Sequence, residues 1–211
     1  MKLVIAIPSR GLIHSRTMEA ALDNVKATGF RMRDLGQAWD LCIPEPKPIP
    51  ESHNQVVEKA LELKPEFVWL LEEDMGPDRC FLNSCLALIE NRDMLVGNYK
   101  LEGGTQSLYF GEDGKVLYGG VGCCFIRASV FDRIEKPWFS DQHSHKLYSD
   151  RLRITGSRQQ GYGHQDIHFF YLLQEAGISA YVVPYAQVMH WRVKELGKPR
   201  TNDGCHVIEA L

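Results

Sequence analysis

Phe67-Val68-Trp69-Leu70-Leu71-Glu72-Glu73-Asp74-Met75-Gly76-Pro77-Asp78 is the stretch that decides how this chain is read. Five consecutive apolar residues rich in β-formers predict a central strand buried on both faces. They run straight into three carboxylates and then the turn-forming pair Gly76-Pro77. In an open α/β sheet, ligands bind beyond the carboxyl ends of the strands, so the triplet marks the place for a metal ion or a phosphorylated ligand. A solvated acidic turn is the competing reading of the same residues.

The chain has 211 residues, a length that predicts one domain with a core large enough to need no staples. A net charge of −3 and a pI near 6.2 announce no basic field for nucleic acid, although a local basic patch remains open. Six cysteines (Cys42, Cys80, Cys85, Cys123, Cys124, Cys205) form no C-x-x-C pair. The run Leu3 to Ile7 is too short for a signal peptide, and no stretch approaches the roughly 20 apolar residues that span a bilayer. The expectation is a soluble cytoplasmic protein with reduced thiols and no membrane partner.

Upstream of the central stretch, Leu3 to Ile7 predicts a first strand, followed by the loop Pro8-Ser9-Arg10-Gly11. Met18, Leu22 and Val25 recur at helical spacing, with a helix end expected near Gly29. Trp39 to Ile43 predicts a second strand, and the prolines at 44, 46, 48 and 50 a stiff connector. Ser52 and Gln55 fit a capping box for a helix whose buried stripe is Val56, Val57, Ala60 and Leu61. The order β-α-β-α-β predicts parallel strands covered by helices.

Downstream, Asp78 is a plausible cap for a helix with Phe81, Leu82, Cys85, Leu86 and Ile89 on its apolar face. Met94 to Tyr99 predicts a strand, and Ser107 to Tyr118 a hairpin around Asp113-Gly114. Gly119, Gly120 and Gly122 precede the apolar run Cys123 to Ile126, where they permit close approach of a ligand or a neighbouring chain. The segment Asp141 to Gly163 carries His143, His145, Arg151, Arg153 and Arg158 and reads as a long functional loop. A helix with Ile167, Phe170 and Tyr171 follows Gly163-His164-Gln165-Asp166 and ends at Gly177. Ile178 to Val183 is the last strong strand, followed by Val188 to Trp191 and a polar tail.

An acidic triplet at a strand end, a glycine-rich strand entry, Gln165-Asp166 at a helix start and a late His190 are each common alone. In this order they resemble the GT-A fold glycosyltransferases, especially small family-2-like members and the compact enzymes of bacteriophages. The resemblance covers residues 1 to 192. It implies an α/β fold with a mixed, mainly parallel sheet flanked by helices and a hairpin-containing acceptor-side lobe. The nucleotide-binding half would be residues 1–100, the acceptor half 101–192 and a tail 193–211. The implied activity is metal-dependent transfer of a sugar from a nucleotide-diphosphate sugar, a UDP-sugar, to an acceptor hydroxyl with inversion. Hard oxygen ligands suit the Mn²⁺ or Mg²⁺ that such chemistry uses.

Carried over residue by residue, the resemblance makes Asp74 and His190 the metal ligands and Asp166 the base that deprotonates the acceptor. A helix cap is the alternative for Asp166, whose neighbour is Gln165 where the family carries Glu. The helix N-terminus is expected to lower its pKa. Pro8, Ser9 and Arg10 match the nucleotide-binding first loop, and Asn54 an asparagine that helps hold it. Glu72 stands where Asp is commoner, so contact with the ribose, with the metal through water, or with neither stays open; Glu73 is grouped with it without a role of its own. Gly120 and Gly122 resemble the glycines flanking the sugar cleft. Lys100 and the three loop arginines are candidates for a diphosphate or anionic acceptor, or a solvated basic face. Trp138 is a sugar platform or a buried aromatic. The acceptor, a glycan, a small molecule or a modified DNA base, stays open, as does the oligomeric state. The competing functions are a non-catalytic nucleotide-sugar or glycan-binding module and a metal-dependent nucleotidyltransferase.

Overall fold

The computed structural model describes residues 1–34, 38–101, 104–141 and 164–191. The expected basic loop with Arg151, Arg153 and Arg158, His143 and His145, and the tail with Cys205 lie outside the described residues. The elements follow in the order β1 (Lys2–Ala6), α1 (Ser15–Asp34), β2 (Ala38–Cys42), α2 (Glu51–Glu62), β3 (Phe67–Leu71), β4 (Met75–Pro77), α3 (Phe81–Leu88) and β5 (Met94–Val96). Then come β6 (Leu108–Phe110), β7 (Val116–Gly119), β8 (Cys123–Arg127), α4 (Val130–Arg133), α5 (His164–Glu175), β9 (Ala180–Val182) and β10 (Val188–His190).

Among the described residues eight strands form one sheet in the order β2-β1-β3-β8-β5-β9-β7-β6, and β4 pairs with β10 in a separate ribbon. The pairings leave β7 and β8 running against the other six strands, so the sheet is mixed and mainly parallel in direction. Strand β3 sits inside it with every residue buried. Because side chains alternate along a strand, Val68 and Leu70 enter one core with α2 and α5, while Phe67, Trp69 and Leu71 enter the other with α1 and α3. Each such fully buried side chain contributes roughly 1.5–3 kcal/mol. The Trp69 ring stacks on Phe81 at 5.8 Å, tying β3 to α3.

Four local expectations are corrected. Helix α1 runs through Gly29 to Asp34, since an interior glycine costs only about 1 kcal/mol against the packing of a long helix. Leu22 is exposed; Val25 is buried as expected, and Ala21, Asn24 and Thr28 complete the buried side. Asn24 bridges elements, its amide donating to Asp78 O at 2.8 Å and its Oδ1 accepting from the Leu82 N–H at 2.9 Å. The capping box at Ser52 and Gln55 is not used. Pro50 is the N-cap, and the first-turn amides of Ser52, His53 and Asn54 donate to the carbonyls of Pro48 and Pro50. Asp78 does not cap α3 through its side chain, because its carboxylate accepts the amides of Cys80 and Gln187.

The hairpin forms as β6 and β7, and α5 ends at Glu175, two residues before Gly177 with its φ of +68°. Gln174, which interrupts the apolar face of α5, donates to Leu117 O at 2.7 Å. No helix among the described residues is long and apolar enough to cross a membrane.

Candidate active site

Three departures of the chain from β-α alternation build the site. Strand β8 lies antiparallel beside β3, with Leu71 opposite Cys123, so the glycine-rich entry to β8 arrives where β3 ends. Glu72 N–H then donates to Gly122 O at 2.8 Å. A Cβ at Gly122 would meet the Met75 methyl, Glu72 Oε2 at 2.9 Å and the Tyr99 hydroxyl at 3.0 Å, and one at Gly120 would overlap the Tyr99 hydroxyl. Only glycine lets the chain pass there. Next, β4 turns back beneath the acidic triplet and pairs with β10, with His190 opposite Met75 and the Trp191 N–H donating to Asp74 O at 2.6 Å. Finally, α5 starts at His164 and brings Asp166 to the same end of the sheet, beside the Val121 amide.

The three carboxylates of the triplet have different environments. Glu73 is buried, and its carboxylate takes the Arg10 backbone amide at 2.8 Å and the Arg10 Nε at 2.5 Å. Its carbonyl accepts the His14 N–H and the Thr17 hydroxyl, so Glu73 clamps the first loop and the start of α1. Glu72 turns the other way and meets His53 Nε2 at 2.9 Å, with His53 itself buried against Phe139. Asp74 lies between Arg10, at 4.0 Å, and His190, whose Nε2 is 3.4 Å from Asp74 Oδ2.

Around these groups runs a cleft of about 320 Å³ whose lining includes Arg10, Glu72, Asp74, His190, Tyr99 and Asp166. The Asp166 Oδ1 atom is inaccessible to solvent and has no hydrogen-bond partner. Burial first, and the Glu72 charge second, push its carboxyl well above the usual carboxylate range, against the Val121 amide that lowers it. The expected lowering by the helix N-terminus is therefore overturned, because desolvation of a carboxylate outweighs the dipole of one helix turn. Burial likewise holds the Tyr99 hydroxyl protonated, with Glu72 and Asp166 adding to the effect.

The other candidate residues divide by position: Pro8 lines a narrow recess beside the triplet together with His53, and Ser9 is buried with its Oγ accepting the Gly11 amide. Asn54 faces away from the cleft, its side-chain amide donating to Phe139 O at 2.7 Å and its Oδ1 accepting the Phe139 amide at 3.1 Å. Lys100 is exposed outside the cleft lining, bridged to Gln106. Trp138 is a core residue, 3 % exposed, with its indole N–H on Phe131 O. His53, Tyr99 and the cleft tyrosines Tyr109 and Tyr118 had no sequence signal as site residues. His53 is 19 positions from its partner Glu72, a separation that no local spacing rule connects.

Among the described residues no cluster of three or more His, Cys, Asp and Glu side chains converges to hold a metal ion unaided. Asp74 and His190 do offer an oxygen and a nitrogen 3.4 Å apart at the cleft wall. Two protein donors suffice where substrate phosphates and water complete an octahedral shell.

No protein-family model and no curated protein sequence matches the chain. Among solved structures, A197 from STIV is similar with a TM-score of 0.60 and 17% identity, over 92% of this chain and 87% of that one. The catalytic domain of Drosophila β1,4-galactosyltransferase 7 in complex with xylobiose aligns at a TM-score of 0.48 and 14% identity, over 87% of this chain and 65% of that one. A mutant of the same Drosophila enzyme in complex with manganese, UDP-Gal and xylobiose gives 0.45 and 14%, over the same shares. At such identities likeness speaks to the fold, and function has to be argued from the site.

Proposed function

We propose that the protein is a metal-dependent glycosyltransferase that moves a sugar from a nucleoside diphosphate sugar, a UDP-sugar, to an acceptor hydroxyl with inversion. The observation that carries this reading is the meeting of Asp74, His190 and Asp166 around one cleft, although the three lie on three separate elements. Among the described residues the same cleft holds the carboxylates of Glu72 and Asp74, with the Asp166 carboxyl beside them, against one guanidinium, that of Arg10, which is already tied to Glu73. Two like charges 4 Å apart repel by about 4 kcal/mol at an effective dielectric of 20. A bare diphosphate would be rejected there, and a divalent cation reverses that sign.

Asp74 and His190 would hold the cation, an oxygen and nitrogen pair that suits Mn²⁺ and tolerates Mg²⁺. When bound, it supplies neutralisation of the charge on the departing diphosphate. Asp166 takes the proton from the acceptor hydroxyl as that oxygen bonds to the anomeric carbon. The bond from that carbon to the diphosphate oxygen breaks, and the electron pair leaves with the nucleoside diphosphate. A carboxyl with a raised pKa is a better base than an ordinary aspartate once ionised. Arg10, held by Glu73, and Pro8 and Ser9 around it form the wall for the nucleotide. Burial first, and then Glu72, which His53 holds in place, raise the Asp166 pKa. Gly120 and Gly122 let the chain pass against Tyr99, Met75 and Glu72 at the cleft wall, and Asn54 braces the recess from behind through Phe139.

Product analysis tests this reading. With Mn²⁺ and UDP-sugars, release of UDP is expected; release of the sugar 1-phosphate, with the UMP group passed to an acceptor or to water, would instead assign a nucleotidyltransferase, and turnover of neither kind would leave a binding module.

The ribbon β4–β10 gives a test that touches no candidate ligand. A methyl group at Gly76 would overlap the Trp191 indole nitrogen and lie 2.9 Å from Trp191 Cε2. Gly76→Ala therefore pushes β10 off β4 and His190 away from Asp74. Mn²⁺ affinity measured in the presence of UDP is expected to fall by roughly tenfold or more, the scale seen when the support of a metal ligand is lost.

A further inference from the structure

The ribbon that brings Asp74 and His190 together is too small to hold itself. Each strand has three residues, Met75–Pro77 in β4 and Val188–His190 in β10. A two-stranded pair is marginally stable at best in water, and less so when it is this short. The residue after His190 supplies support from two sides. The Trp191 N–H adds one more rung to the ribbon, donating to Asp74 O at 2.6 Å, and the indole folds back over Gly76, where a Cβ would overlap its nitrogen. That nitrogen, Nε1, is inaccessible to solvent and has no hydrogen-bond partner among the described residues. Packing alone therefore fixes the indole.

The packing comes from the residues that open α1. The His14 ring stacks on the indole at 5.8 Å with planes 19° apart, and the Arg16 guanidinium lies 5.0 Å from the indole centroid. His14 Nδ1 accepts the Arg16 amide at 3.2 Å, which steadies the imidazole in that position. His14 also reaches the acidic triplet directly, its backbone N–H donating to Glu73 O at 2.8 Å. A closed circuit results, from Glu73 O through His14 and Trp191 to Asp74 O. The loop that carries Arg10 leads straight into it, with Arg10 held by the Glu73 carboxylate. Neither the His14 nor the Trp191 side chain lines the cleft or the recess beside the triplet.

We propose that Trp191 is a positioning residue for Asp74 and His190, and that His14, through the stack, ties those two ligands to the loop that carries Arg10. The ligand role of Asp74 and His190 rests on the glycosyl-transfer reading above; the stack and the extra rung do not. Without the indole, β10 is free to move on β4, and the oxygen and nitrogen now 3.4 Å apart lose their spacing. Without the imidazole, the indole loses the surface that presses it onto Gly76, and the same spacing loosens by a smaller amount.

Calorimetric titration of Mn²⁺ into the full chain with UDP present tests this. Trp191→Ala should lose roughly tenfold or more in Mn²⁺ affinity, the scale of a lost ligand support. His14→Ala should lose about fivefold, the loss of one aromatic contact. Trp191→Phe and His14→Phe should each stay within about twofold of the wild type, because a phenyl ring keeps the stack and Nε1 bonds nothing. The double alanine variant should be no weaker than Trp191→Ala, since the imidazole acts only through the indole. An equal loss in His14→Phe and His14→Ala would make the imidazole itself a ligand, and additive losses in the double variant would uncouple the two rings; either overturns the proposal, as does unchanged affinity in Trp191→Ala. Amide hydrogen exchange without ligands reads the packing by itself: protection of the residue 191 amide should fall in both alanine variants and persist in both phenylalanine variants, with β3 protected throughout. Mn²⁺ binding by the wild type together with equal exchange in all variants sinks the stack alone. A wild type that shows the expected exchange pattern and binds no Mn²⁺ with UDP sinks the glycosyl-transfer reading and leaves the stack as packing.

Discussion

Asp166→Asn is expected to lose sugar transfer by a hundred- to ten-thousand-fold and, without ligands at neutral pH, to melt at a higher temperature than the wild type. The two effects have opposite signs for one reason. Burial, followed by the Glu72 charge, raises the Asp166 pKa in the folded protein above its unfolded value near 3.9. Between those two values the folded state binds the proton and the unfolded state has lost it, so stability falls as pH rises through that window. The amide has no such cost and keeps the shape. The same shift places the acid limb of the activity profile above the pH where an ordinary aspartate would ionise, since only the ionised form accepts a proton. A helix-capping role predicts no gain in stability from asparagine, which caps as well as aspartate, and a loss of about 1 kcal/mol in the alanine variant. Thermal melts of both proteins at pH 5 and pH 8, beside transfer rates, separate the two: the stabilisation by Asn should be larger at pH 8.

Asp74→Asn should abolish the Mn²⁺-dependent part of donor binding and lower turnover at least a hundredfold. Asparagine keeps the side-chain volume and leaves the Arg10–Glu73 clamp untouched, because Arg10 makes its close contacts with Glu73 and stands 4.0 Å from Asp74. What changes is the charge facing His190. A neutral amide oxygen is a much poorer ligand for a hard divalent cation than a carboxylate. His190→Ala removes the second donor and should weaken the metal less than Asp74→Asn, since a neutral imidazole contributes no charge. Glu73→Gln offers a contrast within the same triplet: it loosens the first loop through Arg10 and should raise the donor KM more than it lowers kcat.

Strand β3 was legible because five apolar residues between polar flanks leave few alternatives, and the acidic end was legible because charge at a buried strand terminus is costly without a purpose. The order of β1, α1, β2, α2 and β3 followed from periodicity in the same way. Other features depended on tertiary contacts that no local pattern encodes. The antiparallel insertion of β8 between β3 and β5 delivers Gly120 and Gly122 to the triplet, yet Cys123 to Arg127 reads the same in either direction. The partition of Glu72, Glu73 and Asp74 among His53, Arg10 and His190 depends on elements up to 116 positions away, 190 less 74. Gln174 interrupts the apolar stripe of α5 and Asn24 carries no local signal, yet both are side chains that satisfy backbone groups of neighbouring elements. The Asp166 pKa went the opposite way from the helix-dipole expectation because its burial beside Glu72 cannot be read from its place in the chain.

The central claim is that Asp74 and His190 hold a divalent cation that in turn holds a nucleoside diphosphate. Calorimetric titration of UDP into the protein, with Mn²⁺ and with a chelator, tests it most directly. Saturable binding that requires Mn²⁺, lost in Asp74→Asn and weakened roughly tenfold or more in His190→Ala, is the predicted result. UDP binding of equal strength in the chelator, or equal Mn²⁺ dependence in both variants and the wild type, would contradict it.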